Sequence, residues 1–450
     1  MQANLAATRV LPVLLCALAL PAPADAQLSG ERAIPFGAHA NAEWVRRFDN
    51  GIQGHDNAGA VAVDSQGNVI VVGSSLDQYG AAFLYDTTTL KYTPGGTLLW
   101  QQRYHGPGSG FASSPIDVAT DAFDSIYVLA NDPGSSSNQD ILLIKYDTNG
   151  QQQWLQRFDN NWSENAVALA IDASGDVYVA ANSYYAGNVT DIVLLKYDAN
   201  GNALWNRNWH GGFGTDWPVG LALDPHGNVD VVGNTINVSA GTNFDWVVLE
   251  YDPSGTLLWT KKLAGALLAP DYANAMAVAP NGDVYATGYL VQTAGNAHHT
   301  TARWNDAGTL VWSSTFAAPS GGGKSIGFDA LGRAYVAGQA GLVAYDMLGT
   351  VRWQRVFTIS GASWSTANFI APLSAGRFAV CGSGWFSGPG NEFAIEVYDV
   401  AGHELEELVI GPPNAGSPSN FWAQGNTLYL HGGGTNGHDQ DLLTAKISVH

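Results

Sequence analysis

The sequence is poor in residues that cross-link a chain or bind polyanions. It has 450 residues and only 2 cysteines. Cys16 lies in an apolar N-terminal run and Cys381 in a strand-like stretch, RFAVCG. Removal of that run leaves one thiol, so no intrachain disulfide can form and stability must come from packing. Cys381 reads as a small buried apolar residue. Lys and Arg total 19 against 39 Asp and Glu, a net charge of −20. Phosphate backbones repel such a chain, so nucleic acid is not an expected partner, and the few Lys and Arg also disfavour anionic membranes. No later segment is apolar enough for an expected transmembrane helix. The G-x-S-x-G elbow, the H-E-x-x-H helix and the P-loop are all missing.

The N-terminal run reads as a targeting segment. Arg9 precedes the apolar stretch 10–20, and Ala24-Asp25-Ala26 has the small-x-small form of a signal peptidase site. Residues 1–26 are therefore expected to be a signal peptide cleaved before Gln27. Leu15 precedes Cys16 where a lipoprotein site wants a small residue. The expected product is a secreted or periplasmic monomer, with residues 27–43 as a lead-in and 44–450 as one domain.

What the chain has in abundance is glycine, 53 residues, and repetition. ILLIKYDTNGQQQW (141–154) returns as IVLLKYDANGNALW (192–205) and as VVLEYDPSGTLLW, ending at Trp259. Each unit reads as four strands: AVALAID, the turn ASGD, VYVAA, a variable connection, then ILLIKYD, the turn TNG, and a strand begun by Trp. The first turn recurs as DSQG, DAFD, DASG, DPHG, APNG, DALG, LSAG and, loosely, AQGN, which makes eight units. The fourth-strand Trp recurs as Trp100, Trp154, Trp205, Trp259, Trp312 and Trp353, with Leu405 in the seventh unit. The eighth unit ends at His450 without a fourth strand, and EWVRRFDN around Trp44 echoes QWLQRFDN around Trp154. An N-terminal strand that completes the last sheet closes a ring and removes both exposed edges. The expectation is an all-β, closed β-propeller of eight four-stranded blades, with seven as the alternative.

The pattern A-x-D-x-x-G-x-V-Y-V-x-G, followed by D-x-x-L-x-K-Y-D-x-x-G-x-x-x-W, resembles the bacterial SBBP-type propeller repeat. It is also similar to the quinoprotein-like repeat, in which Asp, Gly and Trp dock neighbouring blades. AYDMLGTVRW (344–353) is close to that docking motif, one residue shorter between Asp346 and Gly349. The resemblance spans nearly all of the mature chain and implies an architecture, not one function. No segment matches the calcium-and-cofactor cage of a true quinoprotein, so no cofactor is predicted.

The repeat also sorts the connections. Those after strands one and three are short Asp-x-x-Gly turns. Those after strands two and four vary in length and content, and function concentrates in such loops. Two acidic registers point to that variable face. One holds Asp86, Asp140, Asp191, Asp245 and Glu392 before the third strands. The other holds Asp56, Glu164, Asp216 and Asp271 before the first strands. They form either a rim that holds a divalent cation or a set of loop anchors. His298 and His299 break the symmetry near Asp245 and Asp271, as a metal site, as base and orienter, or as plain polar surface. Trp162, Trp217, Tyr272 and Trp385 suit stacking on sugar rings or plugging between blades.

The leading expectation is a non-catalytic exported propeller that binds a protein or glycan through this face. One alternative is a metal-assisted polysaccharide hydrolase or lyase using the His/Asp cluster. Another is a cell-envelope assembly scaffold.

Overall fold

The computed structural model describes residues 41–48, 56–79, 82–106, 113–133, 138–185, 189–212, 214–237, 243–293, 296–317, 321–339, 341–386, 390–410, 415–435 and 440–449. The expected signal peptide, 1–26, and most of the expected lead-in, 27–43, lie outside the described residues.

Thirty-two strands form eight four-stranded antiparallel sheets, one per repeat. The repeated turn chemistry sets their hairpins. Asp64 Oδ1 accepts the backbone N–H of Gln66 and Asn68 at 3.0 and 2.8 Å, and Gly67 then takes φ +77°. Only glycine adopts that region at no steric cost. In blade two, where DAFD lacks the glycine, Asp124 itself takes φ +62°. Its carboxylate accepts the N–H and hydroxyl of Ser65 in blade one at 2.7 and 2.8 Å, which offsets the strain. Among the described residues no helix is long and apolar enough to cross a membrane.

First strands of successive blades touch all the way round, and the first strand of blade eight (Ala415–Gln424) meets that of blade one (Asn57–Val63). The apolar core therefore lies between sheets. Tyr127 and Leu129 of blade two, for example, share a cluster with Val179 and Val193 of blade three. Cys381 is fully buried, and burial raises its thiol pKa, so it packs rather than reacts.

The N-terminal strand, Asn41–Phe48, pairs antiparallel with Gln440–Ser448 as the outer strand of blade eight, Trp44 opposite Lys446. The ring thus has eight blades, closed by the two ends of the chain.

Each blade-docking Trp has the same neighbours. The indole N–H of Trp44 donates to Pro94 O at 2.8 Å, in the turn between strands three and four of the next blade. Trp100, Trp154, Trp205, Trp259, Trp312 and Trp353 do the same to Thr148, Ala199, Pro253, Asp306, Met347 and Val400, at 3.0–3.3 Å. A glycine of that turn lies under each ring. A Cβ added at Gly201 would sit 2.8 Å from Trp154. Leu405, half exposed, is the exception. The next blade there is the eighth, whose third and outer strands are joined by no turn, only by pairing of the chain ends. An indole at 405 has no turn carbonyl to meet.

Candidate functional site

The variable connections follow second and fourth strands, so the starts of the first strands and the ends of the second strands share one face. At that face, blades five, six and seven border an open cavity of about 670 Å³. Its lining is mostly polar: Asn274, Lys324, Gln339, Thr366, Asn368 and Ser383, with Tyr289 and Phe369. Asn274, Lys324 and Asn368 lie on the first strands of three successive blades (Tyr272–Val278, Gly323–Phe328, Trp364–Pro372). A chain of hydrogen bonds fixes them. Asn274 Nδ2 donates to Gly323 O at 2.9 Å, Lys324 Nζ to Asn368 Oδ1 at 2.8 Å, and Asn368 Nδ2 to Ser383 Oγ at 3.2 Å. Burial lowers the pKa of Lys324. Thr366 Oγ1 is buried without a partner among the described residues. The cavity thus presents donors and acceptors already held in place, the pattern of a site for a polar, hydroxyl-rich molecule.

Aromatic rings flank it on both sides. In blade seven Trp364 and Trp385 face each other across the first two strands, and both are about half exposed. Thr366 and Ser383 form the pair two residues further along. Period-two alternation puts all four side chains on one face of the sheet, the tryptophans roughly 7 Å from the cavity lining. On the other side Tyr289 meets the edge of Tyr272 at 5.5 Å, and Tyr272 stacks on Trp217 at 6.0 Å with Phe244 between blades. Trp217 and Tyr272 therefore fill the seam between blades four and five and lead towards the cavity. Trp162 is exposed before the first strand of blade three, away from this cavity.

The acidic registers tie down backbone. Asp56 accepts Leu76 N–H at 3.3 Å, Asp216 accepts Gly211 N–H at 2.6 Å, and Asp271 accepts Val291 N–H at 2.6 Å. Glu164 accepts Asn160 N–H at 3.3 Å and the Ser183 hydroxyl at 2.8 Å. Burial raises the pKa of Asp216 and Asp271, and lifts Glu164 to about 7. In the other register the acids meet basic side chains of the same blade. Asp86 meets His105 at 2.9 Å, Asp140 meets Arg157 at 3.1 Å and Asp191 meets His210 at 2.8 Å. The hydrogen bond to Asp191 raises the pKa of His210. Asp245 is buried and its charge adds to the upward shift of Asp271.

Two sets on this face have ligand atoms within 4.8 Å of one another: Asp191, His210 and Asp216, and Asp140, Asp159 and Glu164. Their members are held by the bonds just described, and Asp159 Oδ1 accepts Asn161 N–H at 2.6 Å. Among the described residues His298 and His299 join no such set. They stand on a strand, Asn296–Trp304, rather than in a loop, so consecutive side chains leave opposite faces. His299 is fully buried, stacked on Phe316 at 4.7 Å, and burial lowers its pKa to about 4. The structure does not bring these two rings together with Asp245 and Asp271 into one metal or acid–base centre.

The sequence-derived candidates thus include Trp385, Trp217 and Tyr272 around the cavity but none of its polar lining. Gln339 stands in the first polar register, six residues before Tyr345. Asn274, Lys324 and Asn368 share the bulged position of the first strand, which holds Gly59, Ile116, Val167 and Val219 in blades one to four.

No family model matches the chain. An uncharacterized WD repeat-containing protein of Acanthamoeba polyphaga mimivirus is 20% identical over 369 residues, 57% of this chain and 26% of that protein. The regulatory protein FlaEY of Caulobacter vibrioides is 25% identical over 211 residues, 38% of this chain and 21% of its own length. The chain thus spans about a quarter of the curated relatives it matches. Among solved structures, the WD40 domain of Neurospora crassa Pan2 has a TM-score of 0.42 at 12% identity, covering 87% of this chain and 88% of that one. Drosophila Plexin A in complex with Semaphorin 1b has a TM-score of 0.47 at 8% identity, covering 92% and 88%.

Proposed function

We propose that this propeller is an exported, non-catalytic binding protein whose ligand is a neutral glycan held in the cavity between blades five, six and seven. The observation that carries the reading is the cavity's composition: fixed amide, hydroxyl and ammonium groups between an exposed tryptophan pair and a line of tyrosines. Sugar rings present apolar C–H faces that suit Trp364 and Trp385, and hydroxyls that suit Asn274, Asn368 and Lys324. A net charge of −20 disfavours polyuronates over neutral chains. Export rests on the signal-peptide reading of residues 1–26, and the SBBP-type repeat assignment on the quoted motifs.

The test is calorimetric titration with neutral tetrasaccharides (cello-, xylo-, manno- and galacto-) and with oligogalacturonate as a charged comparator. Saturable binding of a neutral chain is expected. Trp385→Ala should weaken it roughly tenfold, about 1.4 kcal/mol, in line with a lost stacking platform. Binding that is indifferent to Trp385→Ala, Trp364→Ala and Lys324→Met, or no binding at all, would sink the proposal.

A further inference from the structure

One blade interface breaks the pattern of charges on the short-turn face. The carbonyl that receives each docking Trp also receives a cationic side chain. Lys91 Nζ donates to Thr148 O at 3.2 Å, Lys145 to Ala199 O at 2.9 Å, and Lys196 to Pro253 O at 3.3 Å. Arg303 reaches Met347 O, Arg352 reaches Val400 O at 3.3 Å and Lys446 reaches Pro94 O at 3.4 Å. Most of these cations also pair with an acid of their own sheet, as Lys91 does with Asp64 at 2.9 Å and Lys196 with Asp176 at 2.9 Å.

Between blades four and five the carbonyl is that of Asp306, which takes Trp259 Nε1 at 3.2 Å. The residue in the register of Lys91, Lys145 and Lys196 is Glu250. Directly across from it, where blades two and three have Tyr127 and Tyr178, stands Asp230. The turn residue that is Thr148 or Ala199 elsewhere is the acid Asp306. Blade four's first turn adds Asp224 and His226. Four carboxyl groups thus converge where six other interfaces place a Lys or Arg. Lys261 passes along the far side of the turn, against Gly308.

Asp230 is fully buried, and the side chain its carboxylate meets is another acid, Glu250. Glu250 is also buried; Asn228 Nδ2 donates to its Oε1 at 3.2 Å, and it meets Trp259 and Asp230, so no cation faces it among the described residues. The leading charges acting on Asp230 are negative: Glu250, Asp224 and Asp306. Ligand atoms of Asp224, His226 and Asp306 lie within 4.8 Å of one another, and Asn228 Nδ2 bridges Asp224 at 3.0 Å and Glu250 at 3.2 Å. Two carboxyl groups buried against each other without a counter-charge cannot both ionise cheaply. A cation supplied from solution removes that cost in the way the lysine ammonium does in the other blades.

We propose that the seam between blades four and five is a structural site for one hard divalent cation of the calcium class, taken by the cluster of Asp224, His226 and Asp306 against the buried acids Asp230 and Glu250. Oxygen donors of this charge suit Ca²⁺, and Mn²⁺ is the paramagnetic stand-in that accepts the imidazole as well. The cation replaces the lysine in docking blade five onto blade four.

The test uses the full chain freed of metal with a chelating resin, titrated with CaCl₂ and MnCl₂ by calorimetry and followed by melting temperature. One saturable site per chain is expected, with a rise in Tm. Asp230→Asn and Glu250→Gln should weaken binding at least tenfold. The double variant Asp230→Tyr/Glu250→Lys installs the pair found in blade three. It should bind no metal yet melt at least as high as the metal-free protein. In Mn²⁺-loaded protein the relaxation enhancement of solvent water should vanish with the same substitutions. Absence of saturable binding at millimolar Ca²⁺ and Mn²⁺ would overturn the proposal, leaving a proton shared between Asp230 and Glu250. Metal binding unchanged by all three variants would overturn it too.

Discussion

Replacing Trp44 by alanine isolates the ring closure from every other contact. Trp44 is 5% exposed, its indole donates to Pro94 O at 2.8 Å, and its ring packs on Tyr92 at 5.8 Å. It also covers Gly96, where an added Cβ would lie 2.6 Å from the ring. Truncating a buried Trp costs about 3–5 kcal/mol, of which the lost hydrogen bond is roughly 1. Trp44 is well buried, so about 4 kcal/mol is expected. Total stabilities of about 5–15 kcal/mol make that a large fraction. The assay is urea denaturation followed by Trp fluorescence and far-UV circular dichroism, beside Trp162→Ala as an exposed control. The control should move stability by less than about 0.5 kcal/mol. If the N-terminal strand latches the ring, Trp44→Ala lowers the midpoint of the whole transition. A Trp44→Ala loss no larger than that of the control would refute the claim that this strand carries closure.

Leu405→Trp should be neutral to within about 0.5 kcal/mol, because blade eight offers no turn carbonyl to an indole there; the denaturation midpoint checks it. Gly201→Ala should cost more than 1 kcal/mol, since φ is +83° and a Cβ would strike Trp154 at 2.8 Å. His299, with a folded pKa of about 4 against 6.5, stays neutral when folded while the unfolded chain protonates. Stability is therefore lost as pH falls from 6.5 towards 4, by about 3 kcal/mol in all, and His299→Leu should flatten that arm of the pH–stability curve. Glu396 runs the other way. Burial lifts it to about 8, so the folded state holds its proton longer, and stability falls as pH rises from 4.5 to 8. Glu396→Gln should flatten that arm.

The architecture was legible because it is written several times over. A turn Asp that bonds two N–H groups and a Gly at positive φ must recur wherever the same hairpin recurs. The Trp recurs because each indole meets the same turn in the next blade. Closure was legible through the echo of QWLQRFDN in EWVRRFDN, since an outer strand must present the same Trp whichever end of the chain supplies it. The two acidic registers were visible as registers. Their anchoring role needed the partners, such as Gly211 for Asp216, which lie in connections of no fixed length. The Gly-Asn surroundings of His299 point to a loop, but pairing across Tyr289 extends the hairpin and buries it. Of the cavity, Gln339 was visible as a register member, but the polar first-strand residues Asn274, Lys324 and Asn368 gain meaning only when three first strands are set side by side. The blade-four acids left a faint signal: Glu250 and Asp230 stand in registers that hold Lys and Tyr elsewhere.

The most direct measurement is a crystal structure of the protein soaked with the neutral tetrasaccharide that binds best in titration. The account predicts sugar rings over Trp364 and Trp385, with hydroxyls within hydrogen-bond reach of Lys324, Asn368 and Asn274. Sugar bound elsewhere on the ring, with this cavity holding only solvent, would contradict it.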